Sequence, residues 1–350
     1  MTIINWTFRI KNVRIDSKDI FLNFLGIFER LNTLYFVLPI LDDKIFEKIT
    51  KLDLFQNKKI LGIIAALLVV FIWSFWLIVS RIGVKTQLSI YDLAAIRFGL
   101  SSLFILPFIF YFRIWKTISL KKSLITAFSI GPFYALLAFG GFYYSPAYHG
   151  GVFMNGFLPA ITVFIGYVLG RKLLKLELIG TTLILIGSLI ILFDHPYEIL
   201  KNSWKGDISF IFSAFFLSFF IILVDKWDLK FSQILYSICF INAVFYLPIW
   251  ILFLPKSFDF FDTSLYDRDV LINIIFQGFV PNIFGLYLTA FAAKSIGTAK
   301  ASSILAAVPI SGALLGFFIL SEIPSKFSWI SLFIVSIGIL VVVTRKNNNA

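Results

Sequence analysis

From Ile60 to Thr344 one pattern recurs ten times: about 20 apolar residues, then a short polar break. The runs fall near 60–80, 91–112, 124–144, 148–169, 175–193, 207–225, 233–254, 272–293, 300–320 and 327–344. At about 1.5 Å of rise per helical residue, each can cross a hydrocarbon layer of roughly 30 Å. Only the connections Asp194–Gly206 and Pro255–Leu271 are long. The expected class is an all-α polytopic membrane protein.

The overall balance agrees. The chain is 59% hydrophobic and 14% charged, whereas soluble domains run nearer to about 25% charged. A soluble core could not hide this much apolar surface. The net charge of +12 could signal nucleic acid, but the basic residues sit in short loops between runs, where topology accounts for them. The segments 58–59, 113–122, 171–175, 226–230, 294–300 and 345–346 carry fifteen Lys and Arg, and the alternate loops carry seven. That bias puts both termini in the cytoplasm, as an even number of spans requires. The expected location is a bacterial inner (plasma) membrane. The one cysteine, Cys239, excludes an internal disulfide and any Cys-based metal site, and two histidines, His149 and His195, are too few for a His-rich one. No metal and no cofactor is expected. His149 falls at a predicted outer turn, where it either titrates during transport or is a loop residue with no role.

Residues 1–57 read differently. They lack the basic, then apolar, then small-residue order of a signal peptide. Ile20 to Leu41 carries Glu29 and Arg30 in mid-run, which makes a crossing costly. This run and the Lys44–Leu52 segment fit amphipathic helices on a membrane surface; a poorly ordered extension, or a misassigned start, fits equally.

The ten runs form two copies, over 60–193 and 206–344. Ser145 matches Ser295, Pro159 matches Pro309 and Gly166 matches Gly316 at an offset of 150. Ser74-Phe75 matches Ser218-Phe219 at 144, and Ile186-Gly187 matches Ile337-Gly338 at 151. With five helices per copy, an odd number, the second copy enters the membrane from the other side. Ten transmembrane helices as two inverted five-helix repeats are a recurring transporter architecture, with the substrate near the midplane between the copies. Duplication of a membrane scaffold with no transport is the plain alternative.

The segment IIAALLVVFIWSFWLIVSRIGVKTQLSIYDLAAIRFGLSSLFILP (63–107), with Trp73-Ser74 and Ala95-Ile96-Arg97-Phe98, resembles the first helix pair of EamA-type transporters, a branch of the drug/metabolite transporter superfamily. YYSPAYHGGVFMNGFLPAITVFIGYVLG and AAKSIGTAKASSILAAVPISGALLGFFILSE resemble that family's third-to-fourth helix segment in each half. The resemblance covers about 280 of the 350 residues, and it implies a ten-helix secondary transporter of small organic solutes. The second copy keeps the Leu320-Ser321-Glu322 ending. The first departs, with Arg171 and Lys172 where a Glu is usual.

Polar residues inside the runs are the candidate substrate contacts. Arg97 lies about six residues into the second run; it either pairs with helix-end carbonyls or Asp92, or offers positive charge to a substrate carboxylate or phosphate. Asn155, one turn before Pro159, either recognises substrate or bonds a neighbouring helix. Asn282 follows Pro281, with Tyr287 beyond it, and Tyr134 lies near Pro132; Trp73 and Trp76 add aromatic surface. Taken alone, each aromatic reads first as a lipid contact or a packing residue. Pro159 and Pro309 free a carbonyl one turn back and are hinge candidates, or static kinks.

No Asp or Glu falls in mid-run, which favours exchange, facilitated diffusion or coupling through an end-located acid over a midplane carboxylate relay. An enzyme would need paired acids, a His cluster or a Ser/Lys dyad in the runs, and none is present, so no catalysis is expected. The expected function is a secondary transporter of a small organic metabolite working by alternating access; a non-transporting scaffold or sensor is the alternative. The expected partners are a small-molecule substrate and membrane lipid, with a homodimer allowed for and nucleic acid not.

Overall fold

An apolar run in lipid has no water for its backbone N–H and C=O groups, so it bonds to itself as a helix. The computed structural model describes residues 58–170, 172–191, 197–257 and 267–343. The amphipathic segments expected in 1–57 lie outside the described residues. Lys58 opens the compact unit to which all described residues belong.

Nine helices among the described residues are long and apolar enough to cross a membrane. They are α1 (Lys58–Gly83), α2 (Ile90–Phe112), α3 (Leu120–Tyr144), α4 (Ala147–Val168), α6 (Asn202–Lys226, the apolar part of the helix Tyr197–Lys226), α7 (Phe231–Phe253), α8 (Arg268–Ile296), α9 (Lys300–Leu320) and α10 (Lys326–Val343). The fifth expected span is the helix α5 (Lys175–Ile190), 16 residues long, or about 24 Å. No strand occurs among the described residues. The chain is an integral multi-pass membrane protein. Leu103, Phe164, Leu252 and Phe318 lie exposed on the helix surfaces, while Ser74, Ser101, Ser218 and Ser331 are fully buried, the arrangement expected when lipid is the solvent and interhelical bonding is polar.

The helices obey the repeat. The first helix of each copy packs chiefly on the third and fourth helices of the other copy: α1 on α8 and α9, and α6 on α3 and α4. Two hydrogen bonds mark the same point in both halves. Ser74 Oγ donates to the Val308 carbonyl at 3.2 Å, and Ser218 Oγ donates to the Leu158 carbonyl, also at 3.2 Å. Each carbonyl belongs to the residue just before a matched proline, Pro309 or Pro159.

The last helices of the copies, α5 and α10, pack along their length. A Cβ on Gly187 would meet the Ser331 carbonyl at 3.1 Å, and one on Gly338 would meet the Gly180 carbonyl at 2.8 Å. The offset of 151 exchanges these two contacts, since it carries Gly187 to Gly338 and Gly180 to Ser331. As the residue number rises on α5 it falls on α10, so the helices are antiparallel. Two equivalent helices that meet antiparallel about a pseudo-twofold make the repeat an inverted one.

Three helices change to π-helical winding: α4 over Gly150–Gly156, α7 over Tyr236–Ile241 and α8 over Val280–Gly285. Wide turns of this kind recur at functional sites. The hinge candidates sit beside such irregularities. Pro159 follows the π segment of α4, and α9 breaks at Ala306-Ala307, just before Pro309. Gly151 lets the two core helices approach there, because a Cβ would lie 3.1 Å from Pro309 Cα.

Candidate functional site

Ser89 starts α2 with a capping box: its side chain accepts from Asp92 N–H, and the Asp92 carboxylate accepts from Ser89 N–H. The same carboxylate, fully buried, also accepts from Ser89 Oγ (2.7 Å), Trp250 Nε1 (2.9 Å) and Ser257 N–H (3.0 Å). These bonds hold it at the start of α2, and it forms no ion pair with Arg97. This corrects the expectation that Asp92 or helix-end carbonyls pair with Arg97: the side chain is only 6% exposed, and Nε and Nη1 are buried without a hydrogen-bond partner.

Aromatic rings surround the guanidinium instead. Its Cζ lies 5.6 Å from the Trp76 ring centroid and 6.0 Å from that of Tyr134, within cation–π range. Trp76 is fixed in turn. Its Nε1 donates to Gln277 Oε1 (2.9 Å), and Gln277 Nε2 donates to Ser80 Oγ (3.0 Å). One turn after Arg97, Ser101 Oγ donates to the Gly278 carbonyl (2.5 Å) and accepts from Asn282 Nδ2 (3.1 Å). Helices α1, α2, α3 and α8 thus meet in one polar cluster inside the membrane-spanning bundle, drawn from both repeats.

Of the residues expected from sequence, Arg97, Tyr134 and Asn282 come together here. Trp73 is one turn away on α1, beside Gly285 of α8, and its Nε1 is buried without a partner. Tyr287 packs edge-to-face with Phe231, in a second apolar cluster formed by α1, α8 and α9. Asn155 lies outside this contact set, half-buried in the π segment of α4, with Nδ2 unpartnered. Gln277 and Ser101 are additions. An amide in mid-run at 277, and a hydroxyl four residues after Arg97, are the signals that could have found them.

A second polar cluster ties helix ends on the side where α1 finishes. Arg81 Nε donates to Glu322 Oε1 at 2.9 Å, and both side chains are largely buried. Arg81 Nη1 also donates to the Phe142 carbonyl. Glu322 Oε2 accepts from Ala147 N–H at 2.7 Å, which sets a carboxylate on the positive end of α4. Lys85 Nζ stands 3.9 Å from Glu322; partial burial and the Arg81 charge hold its ammonium below the usual lysine range, against the opposing pull of Glu322. Beside this cluster His149 Nδ1 lies 2.7 Å from Asp207 Oδ1, which also accepts from Ser145 Oγ. His149 is therefore a buried helical residue rather than one at an open turn.

The repeat offsets carry Arg81 to Asp225 (81 + 144) and Glu322 to Lys172 (322 − 150). On the side where α6 finishes these two are exposed, and they form no ion pair with each other. One end of the bundle is latched, and its symmetry mate, with reversed charges, is not.

Comparison with known proteins follows the same division. The model of the EamA-like transporter family matches residues 60–193 and again 204–344. No curated protein matches the chain. A solved structure described only as the crystal structure of a protein is similar with a TM-score of 0.56 at 16% identity, over 81% of this chain and 95% of its own. That likeness bears on the fold alone.

Proposed function

The chain belongs to the EamA-like transporter family, and we propose that it is a secondary transporter carrying a small organic metabolite by alternating access between two inverted repeats. The working unit in this reading is 60–193 with 206–344. Helix α5 serves as the tenth span, the latched side faces outward, and both termini lie in the cytoplasm, as the Lys/Arg bias favours.

The observation that carries the proposal is the unequal state of two equivalent charge pairs. Two inverted copies of one helical unit can exchange conformations. In one conformation Arg81–Glu322 is closed and Asp225 is apart from Lys172; in the other, Asp225 and Lys172 close while Arg81 and Glu322 part. Each pair holds one end shut, so the central cluster is reached from one side at a time. Each copy's first helix is bonded to the carbonyl before the other copy's proline, so bending of α4 or α9 is felt by α6 or α1. Substrate contacts are assigned to Arg97, Tyr134 and Asn282, with Trp73, Asn155 and Tyr287 along the route. With its acids near helix ends, Asp207 among them, the mode is exchange, facilitated diffusion or end-located coupling.

Solute counterflow in liposomes containing the full chain tests this reading. The expected result is saturable uptake of a labelled organic solute, accelerated at least about threefold by unlabelled solute on the opposite side. Uptake that ignores the opposite side, for every solute class tried, would leave a scaffold or sensor as the function.

A further inference from the structure

We infer that Arg97 is the receptor for a single carboxylate on the transported molecule, and that the cargo class is organic monocarboxylates with an apolar or aromatic body. The inference rests on the transporter reading only for the word cargo; as a binding site it stands on the geometry.

An Arg that is 6% exposed, with Nε and Nη1 lacking partners, is an unpaired charge within a membrane-spanning bundle. Such a group is costly unless something pairs with it. No acid among the described residues does so: Arg97 has no ion pair, and Asp92, the nearest acid in sequence, bonds Ser89, Trp250 and Ser257 instead. The rings of Trp76 and Tyr134 offset part of the cost and leave the guanidinium edges unbonded. A planar carboxylate matches such an edge with two parallel hydrogen bonds.

Charge count narrows the class. Arg97 is the one buried Lys or Arg side chain among the described residues, so it balances one negative charge. A phosphate dianion would keep an excess charge. A zwitterion would bring an ammonium that meets only rings, amides and hydroxyls, because the cluster around Arg97 holds no carboxylate. The walls set the rest: Trp76, held in place by Gln277, and Tyr134 offer aromatic faces beside the charge. Arg97 is a binding residue here, and Gln277 a positioning residue that acts through Trp76.

The test uses the purified full chain and thermal-shift titrations with benzoate, phenylpropionate and octanoate, beside the uncharged amides of the same acids and inorganic phosphate. The acids are expected to raise Tm with saturation in the millimolar range or below, and the amides and phosphate to bind at least tenfold more weakly. Arg97→Lys keeps the charge but loses the planar fork and is expected to weaken the acids about tenfold. Arg97→Met is expected to abolish their effect while leaving the ligand-free protein as stable as wild type or more so, since an unpaired buried charge is removed. A structural Arg would give the opposite sign, a lower ligand-free Tm. Amides equal to acids, no response to any acid, acid binding kept in Arg97→Met, or a ligand-free Tm lowered in that variant would each overturn the inference. Acid binding without counterflow would keep the receptor and remove the transporter reading; counterflow indifferent to Arg97→Met would do the reverse.

Discussion

Glu322→Arg will cut transport by tenfold or more. The wild-type carboxylate accepts from Arg81 Nε and from Ala147 N–H, and stands near Lys85. An arginine in its place loses all three interactions, sets two guanidinium groups side by side, and points a cation at the positive end of α4. Removing one partner of a buried pair costs about 3–5 kcal/mol, and each 1.4 kcal/mol is a factor of about ten in an equilibrium. The protein need not unfold to escape this penalty, because it can move to the conformation in which the Arg81 end is already parted. Its stability should therefore fall less than its flux. The double exchange Arg81→Glu with Glu322→Arg restores the ion pair but not the α4 end, and recovers part of the flux. Wild-type counterflow in Glu322→Arg would show that the pair is no latch.

Gly180→Leu will remove most of the folded protein. A Cβ there would lie 2.5 Å from Val342 Cγ2, 2.7 Å from the Gly338 carbonyl and 2.9 Å from Val342 N. Two of these atoms are backbone, so no rotamer change makes room, and α5 and α10 must separate. Overpacking costs about 1–3 kcal/mol and occasionally more; here it acts at the seam between the last helices of the two repeats, and Gly338, which Gly180 meets across that seam, is equally tight. Gly140→Leu is the control, since nothing lies within 4 Å of a Cβ at that position; it should change stability by about 0.5 kcal/mol at most. Thermal unfolding in detergent, followed by loss of the monodisperse peak, distinguishes the two variants. Equal behaviour would mean that α5 and α10 do not depend on this contact.

Much of the fold is legible in the sequence because lipid imposes one length on every span. Runs read at 91–112 and 300–320 become the helices Ile90–Phe112 and Lys300–Leu320. The fifth run is where that rule is weakest: its described helix stops at Ile190, short of the length the others reach. Offsets of 144 and 150 identify which residues are equivalent, and Ser74, Ser218, Pro159 and Pro309 all appear in that alignment. They do not reveal that each serine bonds across to the other copy's proline turn, because equivalence within a repeat carries no information about which copies touch. The same limit explains Arg97. Its span and depth can be read from hydropathy, but Asp92, five residues earlier, looks available until Trp250 and the Ser257 amide arrive from 158 and 165 residues away. Gln277 is silent in the sequence for a related reason: one amide in an apolar run gains meaning only beside Trp76 and Ser80. His149 reads as a turn residue because Gly150 and Gly151 follow it, whereas close packing of α4 against Phe142 and Pro309 uses these glycines inside a helix.

The most direct test is a pair of distances measured in one sample. Spin labels at Lys85 and Ile323 report the end held by Arg81 and Glu322, and labels at Leu174 and Lys226 report the opposite end, in the full chain in liposomes with Cys239→Ala. Glu322→Arg should lengthen the first distance and shorten the second, as the Asp225 and Lys172 end closes. A first distance that lengthens while the second stays fixed would contradict alternating access between the two repeats.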